Sequence, residues 1–235
     1  MTFHIITIFP DIFDSYLNES IIGRAIKNKL ISIKFYNPRD FIKAPKNNYK
    51  PVDDKPYGGG PGMVMRAEPL LKTVAKVLNT VKGRNKKILI INFIPSAEKF
   101  TTTFAKTISK KYTDIILICG RYEGIDSRVD KILRQAQDRF LKFQQLSVGD
   151  YVLTGGEVPA MILIDCVSRQ IPGVLGKYEC LEEERVSSSE VYTRPEVLEY
   201  PFNSVQGKKS KKYKVPKVLL SGNHKKIEDW KKKKL

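Results

Sequence analysis

The sequence predicts an α/β fold with a mostly parallel sheet. Three observations carry that prediction. Short apolar runs alternate with longer segments of helical periodicity as far as Pro172. Two of the runs, Ile88–Phe93 and Asp114–Cys119, are almost wholly apolar, as strands covered on both faces are. Glycine-bearing loops adjoin several of the runs, at the places where open parallel sheets hold their ligands.

The elements follow in order. Phe3–Phe9 reads as a first, Ile-rich strand. Pro10-Asp11-Ile12-Phe13 opens a helical stretch that runs towards Leu30. Ile31–Tyr36 alternates as a strand, and Asn37-Pro38 ends it. Residues 43–62 are polar and then rich in Gly and Pro, a long loop. Ala67–Val77 has a helical pattern, Ile88–Phe93 is a buried strand, and Ser96–Ser109 is a helix. After the strand Asp114–Cys119, Ser127–Phe143 reads as a helix, Tyr151-Val152-Leu153 as a strand end, and Glu157–Arg169 as an apolar helix. Beyond Pro172 the pattern is lost. The sequence divides into a domain over 1–175, an acidic, polar linker over 176–191, and a small basic domain over 192–235 whose helix lies around Ile227–Trp230.

The 235 residues are enough for one sizeable core with a small second domain. No run approaches the ~18 apolar residues of a membrane span, and the first residues lack the basic and small-residue features of a signal peptide. The formal net charge is +17, which favours a polyanionic partner. Residues 201–235 hold 12 Lys and 2 acids, against 30 Lys and Arg and 23 acids in the preceding 200. Taken alone, such a tail also fits a solvated lysine-rich surface. Cys119, Cys166 and Cys180 form no CxxC pair, which suits a reducing compartment, and Cys119 and Cys166 read as core. With His4 and His224 as the only histidines, a zinc site or a His-based triad has little to draw on.

Four segments are candidates for chemistry: Val52–Met63 with its Tyr57-Gly58-Gly59-Gly60, Cys119–Asp126, Ser147–Glu157 and Ile171–Gly176. Their glycines allow backbone to approach a ligand or another chain segment closely, though each also fits a tight turn. Neither a GxGxxG fingerprint nor a P-loop lysine is present, so a dinucleotide or P-loop nucleotide site is disfavoured.

The ordered motifs PYGGGPGM, CGRYEGID, SVGDYVLTGGE, IPGVLG, YTRPEVLE and VPKVLLSGNH strongly resemble the bacterial tRNA (guanine-N1)-methyltransferases of the TrmD type, from Ile6 to Trp230. That resemblance implies a knotted (SPOUT-type) α/β methyltransferase with a C-terminal trefoil knot, an exception to un-knotted connectivity. It also implies a small basic, mainly helical C-terminal domain for tRNA. The implied activity is transfer of a methyl group from S-adenosylmethionine to N1 of guanosine at tRNA position 37, in a cytoplasmic homodimer with shared active sites. Matched motif by motif, the cofactor falls to Phe93, Pro95, Gly120, Glu123, Ser147, Val148, Gly149, Asp150, Tyr151, Val152, Leu153, Gly155, Gly156 and Pro159. The family's usual Leu-Ser-Pro is Phe93-Ile94-Pro95 here, so a serine hydroxyl is lost. RNA contacts fall to Tyr57, Gly58, Gly59, Arg121, Arg194 and His224. The catalytic arginine maps to Arg169, and the general base to Glu184, with Glu183 as the alternative because the linker is short. Glutamate stands there in place of the family's usual aspartate. A magnesium ion is implied by the family alone.

Two departures carry expectations of their own. Residues 132–145 are longer than the family norm and are expected to project away from the site. The chain also stops at Leu235, earlier than many relatives, and Lys231–Lys234 are expected to supply phosphate contacts. A different knotted methyltransferase explains the cofactor loops but not PYGGGPGM or YTRPEV. A catalytically silent RNA-binding protein of the same fold explains the charge and the loops without turnover, and a basic scaffold explains the charge alone.

Overall fold

Five parallel strands organise the larger part of the molecule in a computed structural model, which describes residues 1–43, 50–81, 86–176, 188–200 and 211–233. In chain order the strands are β1 (Thr2–Ile6), β2 (Ser32–Tyr36), the two-residue β3 (Asp53–Asp54) and β4 (Val64–Met65), β5 (Ile88–Phe93), β6 (Asp114–Ile118) and β7 (Leu141–Leu146). The helices are α1 (Asp14–Leu17), α2 (Ser20–Lys27), α3 (Ala67–Thr80), α4 (Thr102–Lys111), α5 (Ser127–Gln135) and α6 (Glu157–Ser168). The main sheet has the order β2-β1-β6-β5-β7, and every pair in it is parallel.

Alternation along the strands splits the core into two layers. Phe3, Ile5, Leu89, Ile91, Ile115 and Leu117 pack with residues of α1, α2, α4 and α6. Ile6, Ile88, Ile90, Ile116 and Ile118 share a cluster with Leu70, Val74 and Val77 of α3 and Val129 and Leu133 of α5. The unbroken apolar runs are thus strands covered on both faces, each buried Ile or Leu contributing about 1.5–3 kcal/mol before the chain's entropy is counted. Helix starts are capped where the sequence allows: Thr101 Oγ1 accepts from the Phe104 N–H at 3.2 Å, and Asp126 Oδ1 from the Arg128 N–H at 2.9 Å.

Four elements differ from the sequence reading. Pro10–Leu30 is a 3-10 turn (Pro10–Phe13) followed by two helices that break at Asn18-Glu19, where Gly23 packs so closely on Asn18 that a Cβ there would lie 2.5 Å from its carbonyl oxygen. The helix expected from Ser96 begins at Thr102, after a turn. The helix expected over Ser127–Phe143 ends at Gln135, and the chain returns as β7, pairing with β5 over Ile88↔Leu141 to Phe93↔Leu146. Residues 132–145 therefore do not project away; they complete a helix and supply the edge strand of the sheet. Tyr151-Val152-Leu153 is loop rather than strand. Of the cysteines, Cys119 is fully buried and Cys166 is half-buried against the same core layer, whereas Cys180 lies outside the described residues.

The chain divides into two units, Met1–Gly176 and Lys177–Leu235. The described part of the second holds both strands and helices. A two-stranded antiparallel sheet, β8 (Val197–Tyr200) with β9 (Lys211–Lys214), precedes two helices, α7 (Lys217–Leu220) and α8 (His224–Lys232). The rings of Tyr192 and Trp230 lie 6.2 Å apart within it.

Candidate functional site

The carboxyl ends of β5, β6 and β7 all release glycine-bearing or proline-bearing loops, and those loops are laced to one another. The Ser147 N–H donates to the Glu98 carbonyl at 2.8 Å, and the Phe100 N–H donates to the Ser147 carbonyl at 2.7 Å. The Gly156 N–H donates to the Gly120 carbonyl at 2.9 Å, beside a bridge between Arg121 and Gly155. Side chains are excluded from two of these crossings. A Cβ at Gly156 would stand 2.6 Å from Cys119 Cα, and one at Gly155 would stand 2.5 Å from Arg121 Nε.

Between these loops lies a cleft of about 450 Å³. Its walls include Phe93 and Pro95 after β5, Gly120 and Glu123 after β6, Ser147 to Gly149 and Tyr151 to Leu153 after β7, and Gly155, Gly156 and Pro159 where α6 begins. Thirteen of the fourteen residues expected to hold the cofactor thus line one cavity. Asp150 does not: its exposed carboxylate pairs with Lys99 Nζ at 2.5 Å. Ile94 also lines the cleft, so the position without a serine hydroxyl presents an alkyl surface instead.

Arg121 stands at the same cleft, and its guanidinium is 4.8 Å from the Phe9 ring centroid. Its Nε lies 2.9 Å from Glu157 Oε2, close enough for an ion pair, although the N–H is not directed well enough to make a hydrogen bond. We take the pair as electrostatic, because both groups are shielded and oppositely charged. The other oxygen of Glu157, a buried residue in the first turn of α6, accepts from Thr7 Oγ1 at 2.8 Å.

The Tyr57–Gly60 loop leaves this region on a small clasp. β3 and β4 pair at its ends, the Glu123 N–H donates to Met63 O at 2.9 Å, and the Met65 N–H donates to Gly124 O at 2.9 Å. Tyr57 is fully exposed, and Gly58, Gly59 and Gly60 have φ of 87°, 78° and 112°. Among the described residues, chain neighbours aside, no atom lies within 4 Å of where their Cβ atoms would be, and left-handed backbone is what requires them. The loop's tip is free to meet an external partner.

Of the residues expected to be catalytic, Arg169 is not among the described residues that line the cleft. Arg169 follows the last residue of α6, ten residues beyond Pro159, or about 15 Å along a helix axis. Glu184 and its alternative Glu183 fall outside the described residues. The remaining RNA-contact candidates belong to the second unit. Arg194 lines a groove of about 580 Å³ with Tyr192, Leu198 and Tyr213, and His224 is the exposed first residue of α8.

Sequence reasoning missed the polar wall of the cleft. Asn92, Asp130 and Gln145 line it and bond to one another: Asn92 Nδ2 donates to Asp130 Oδ1 at 3.0 Å, and Gln145 Nε2 donates to Asp130 Oδ2 at 2.6 Å. The one available signal was the single Asn in the otherwise apolar run Ile88–Phe93. Among the described residues no group of three or more His, Cys, Asp or Glu side chains is placed to hold a metal ion. No described helix is long and apolar enough to cross a membrane.

A family profile described as tRNA (Guanine-1)-methyltransferase TrmD matches residues 1–235. The tRNA (guanine-N(1)-)-methyltransferase of Clostridioides difficile (strain 630) is 44% identical over 230 residues, covering 98% of this chain and 90% of that protein. The protein of the same name from Buchnera aphidicola subsp. Acyrthosiphon pisum (strain APS) is 42% identical over 228 residues, covering 97% and 86%. That from Dictyoglomus turgidum is 41% identical over 229 residues, covering 97% and 82%.

Proposed function

The chain belongs to the tRNA (guanine-1)-methyltransferase family of the TrmD type, and we propose that it methylates N1 of guanosine at tRNA position 37 with S-adenosylmethionine as donor. The observation that carries the reading is the convergence of three separate loops on one cleft of a size ordinary for cofactors of this class. Phe93, Ile94, Val152 and Pro159 offer apolar surface for a flat base, while Glu123, Asp130 and Gln145 offer polar atoms for the rest of a nucleoside. The donor, when bound, supplies a methyl group already activated on a sulfonium.

The residues of the chain then have three tasks. Guanine N1 is protonated at neutral pH and must lose that proton before it attacks. Glu184, or Glu183 in the alternative register, takes it as general base. The negative charge that develops on O6 is stabilised by the Arg169 guanidinium. The cleft loops hold the two reactants in line, which lowers the entropic part of the barrier.

A homodimer reconciles Arg169 with the cleft, because a second copy can bring its own Arg169 to a cleft that the first cannot reach. An exposed apolar patch supports it. Val158 and Ile162 stand one turn apart on α6, and Tyr16 beside Ile12 donates to Asp165 of the same helix. The lacing of the loops after β5, β6 and β7 supports the trefoil knot that the family implies. We assign the tRNA to the Tyr57–Gly59 loop and Arg121 in the first unit and to Arg194, His224 and the lysines of α8 in the second, and place the reaction in the cytoplasm with its substrate. We assign no magnesium ligand.

The test is methyl transfer from labelled S-adenosylmethionine to a tRNA transcript with guanosine at position 37, beside the same transcript with adenosine there. Transfer to the guanosine transcript alone, nearly abolished in Glu184→Gln, is the expected result. Transfer that survives Glu184→Gln moves the base to Glu183. Cofactor binding without transfer to either transcript overturns the enzymatic reading in favour of a silent RNA-binding protein.

A further inference from the structure

We propose that Asp130, gripped by Asn92 and Gln145, recognises a hydrogen-bond donor of the bound cofactor, either a ribose hydroxyl or the ammonium of its amino-acid tail. This rests on the cleft being the S-adenosylmethionine site. No resemblance assigns these three residues a role; they come from β5, α5 and β7 and meet only in the fold.

The argument begins with Asn92. It is the polar residue at the end of an otherwise apolar strand, and only 2% of it is exposed. Its Nδ2 donates to both oxygens of Asp130, at 3.0 and 3.3 Å. Its Oδ1 is buried and accepts from no group among the described residues. A buried carbonyl without a donor is a cost that a core position would remove by substitution with Leu or Val. The opposite amide orientation is worse, since it sets that carbonyl against a carboxylate. Among its described contacts, the polar contribution of Asn92 is therefore its grip on Asp130.

Gln145 acts in the same direction. Its Nε2 donates to Asp130 Oδ2 at 2.6 Å, and its own carbonyl accepts from Arg134 Nη2. Arg134 lies in turn over the Phe143 ring, 5.5 Å from its centroid. A chain of oriented groups thus fixes one carboxylate in a cleft wall. A carboxylate has about four acceptor sites, and the two amides leave some of them open. What such a group can accept from a nucleoside with an amino-acid tail is a ribose hydroxyl, an ammonium proton or an amino proton of the base, and the base has the apolar wall of the cleft to lie against. Acidic side chains recognise ribose hydroxyls in this way in other α/β folds.

The experiment measures binding to the full-length protein by calorimetry with two probes, S-adenosylhomocysteine and 5′-methylthioadenosine, which keeps the ribose but lacks the amino-acid tail. Asp130→Asn keeps the shape and removes the charge. It is expected to weaken S-adenosylhomocysteine about tenfold, as loss of one charge-assisted hydrogen bond does. An equal loss for 5′-methylthioadenosine that persists for the control 5′-methylthioinosine, which lacks the amino group of the base, assigns the ribose; an unchanged affinity for 5′-methylthioadenosine assigns the ammonium, and a loss confined to the amino-bearing base overturns the inference. Gln145→Leu, which leaves Asp130 in place with one grip fewer, is expected to give a smaller loss with the same probe dependence, and it serves if Asp130→Asn does not fold. If folded Asp130→Asn, or Gln145→Leu in its stead, binds both probes as the unaltered protein does, the inference is wrong. If the unaltered protein itself binds neither probe, the cofactor assignment fails, and this inference with it.

Discussion

His4 is the middle residue of β1, sealed against solvent at 1% exposure, and its side chain meets Asp114, the first residue of β6. Its Nε2 lies 3.1 Å from Asp114 Oδ1, and its Nδ1 lies 3.2 Å from the Tyr36 hydroxyl. Burial pushes the imidazole below its ordinary 6.5, even though the Asp114 carboxylate pulls the other way. For Asp114, burial pulls the pKa up, but hydrogen bonds from Thr113, His4 and Lys86 outweigh it and hold the carboxyl below 3.8. Both shifts describe one arrangement: a neutral imidazole donating through Nε2 to a carboxylate whose charge is balanced by Lys86 at 3.1 Å. The pH dependence follows from linkage. Below 6.5 the unfolded chain takes up a proton at His4 that the folded chain refuses, so stability is complete above 6.5 and falls as the pH drops from there. The Asp114 contribution persists lower, and is lost only below 3.8. Urea unfolding at a series of pH values between 6.5 and 3.8 measures this, and His4→Gln is expected to flatten the upper part of the decline.

At the level of elements, the close crossing of Gly156 over Cys119 is the most exposed to substitution. Gly156 has an ordinary φ of −83°, so an alanine is conformationally permitted there, and only the 2.6 Å approach to Cys119 Cα opposes it. Gly156→Ala is expected to cost about 1–3 kcal/mol of unfolding free energy, as overpacking does, and to weaken cofactor binding by shifting the start of α6. Urea unfolding and calorimetry check the two parts separately, and a variant as stable as the parent removes the packing argument. β5 and β6 were legible because parallel strands buried on both faces leave an unbroken apolar run. β7 was not, because it is an edge strand: Leu141-Lys142-Phe143-Gln144-Gln145-Leu146 carries only two buried side chains, at the spacing of a helix turn. The punctuation that separates it from α5 is Asp138, whose Oδ1 accepts from the N–H groups of Phe140 and Leu141, both at 2.7 Å. The cofactor loops were legible as motifs, since glycine and proline there serve local backbone demands. Asn92, Asp130 and Gln145 were not, since their meaning lies in contacts 38 and 15 residues apart along the chain.

Over the whole molecule the charge surplus is concentrated in the last 35 residues, and Lys225, Lys226, Lys231, Lys232 and Lys233 fall on or directly after α8. Each lysine that neutralises an RNA phosphate releases a counterion, so affinity for tRNA should fall steeply with salt. Replacing Lys231–Lys234 with Ser is expected to weaken tRNA binding and to shallow the slope of log K against log salt by about 0.7–0.9 for each phosphate no longer neutralised. An unchanged slope, read by filter binding across a salt series, places the phosphate-binding cations elsewhere.

The pairing of β7 has a consequence for how this chain tolerates change. Six successive residues of β7 are in register with β5, and the loop that closes the cleft begins at the very next residue, Ser147. Upstream, α5 is anchored through buried Val129 and Leu133. Between Gln135 and Leu141 the chain makes an exposed turn, pinned on its strand side by Asp138: length added or removed ahead of Asp138 is absorbed before the register begins and is not transmitted to Ser147. Drift in length at this turn is therefore invisible to the chemistry. The same turn is a port where a short peptide or a label fits into the working enzyme, about 12 residues before the first glycine of the cleft loop at Gly149.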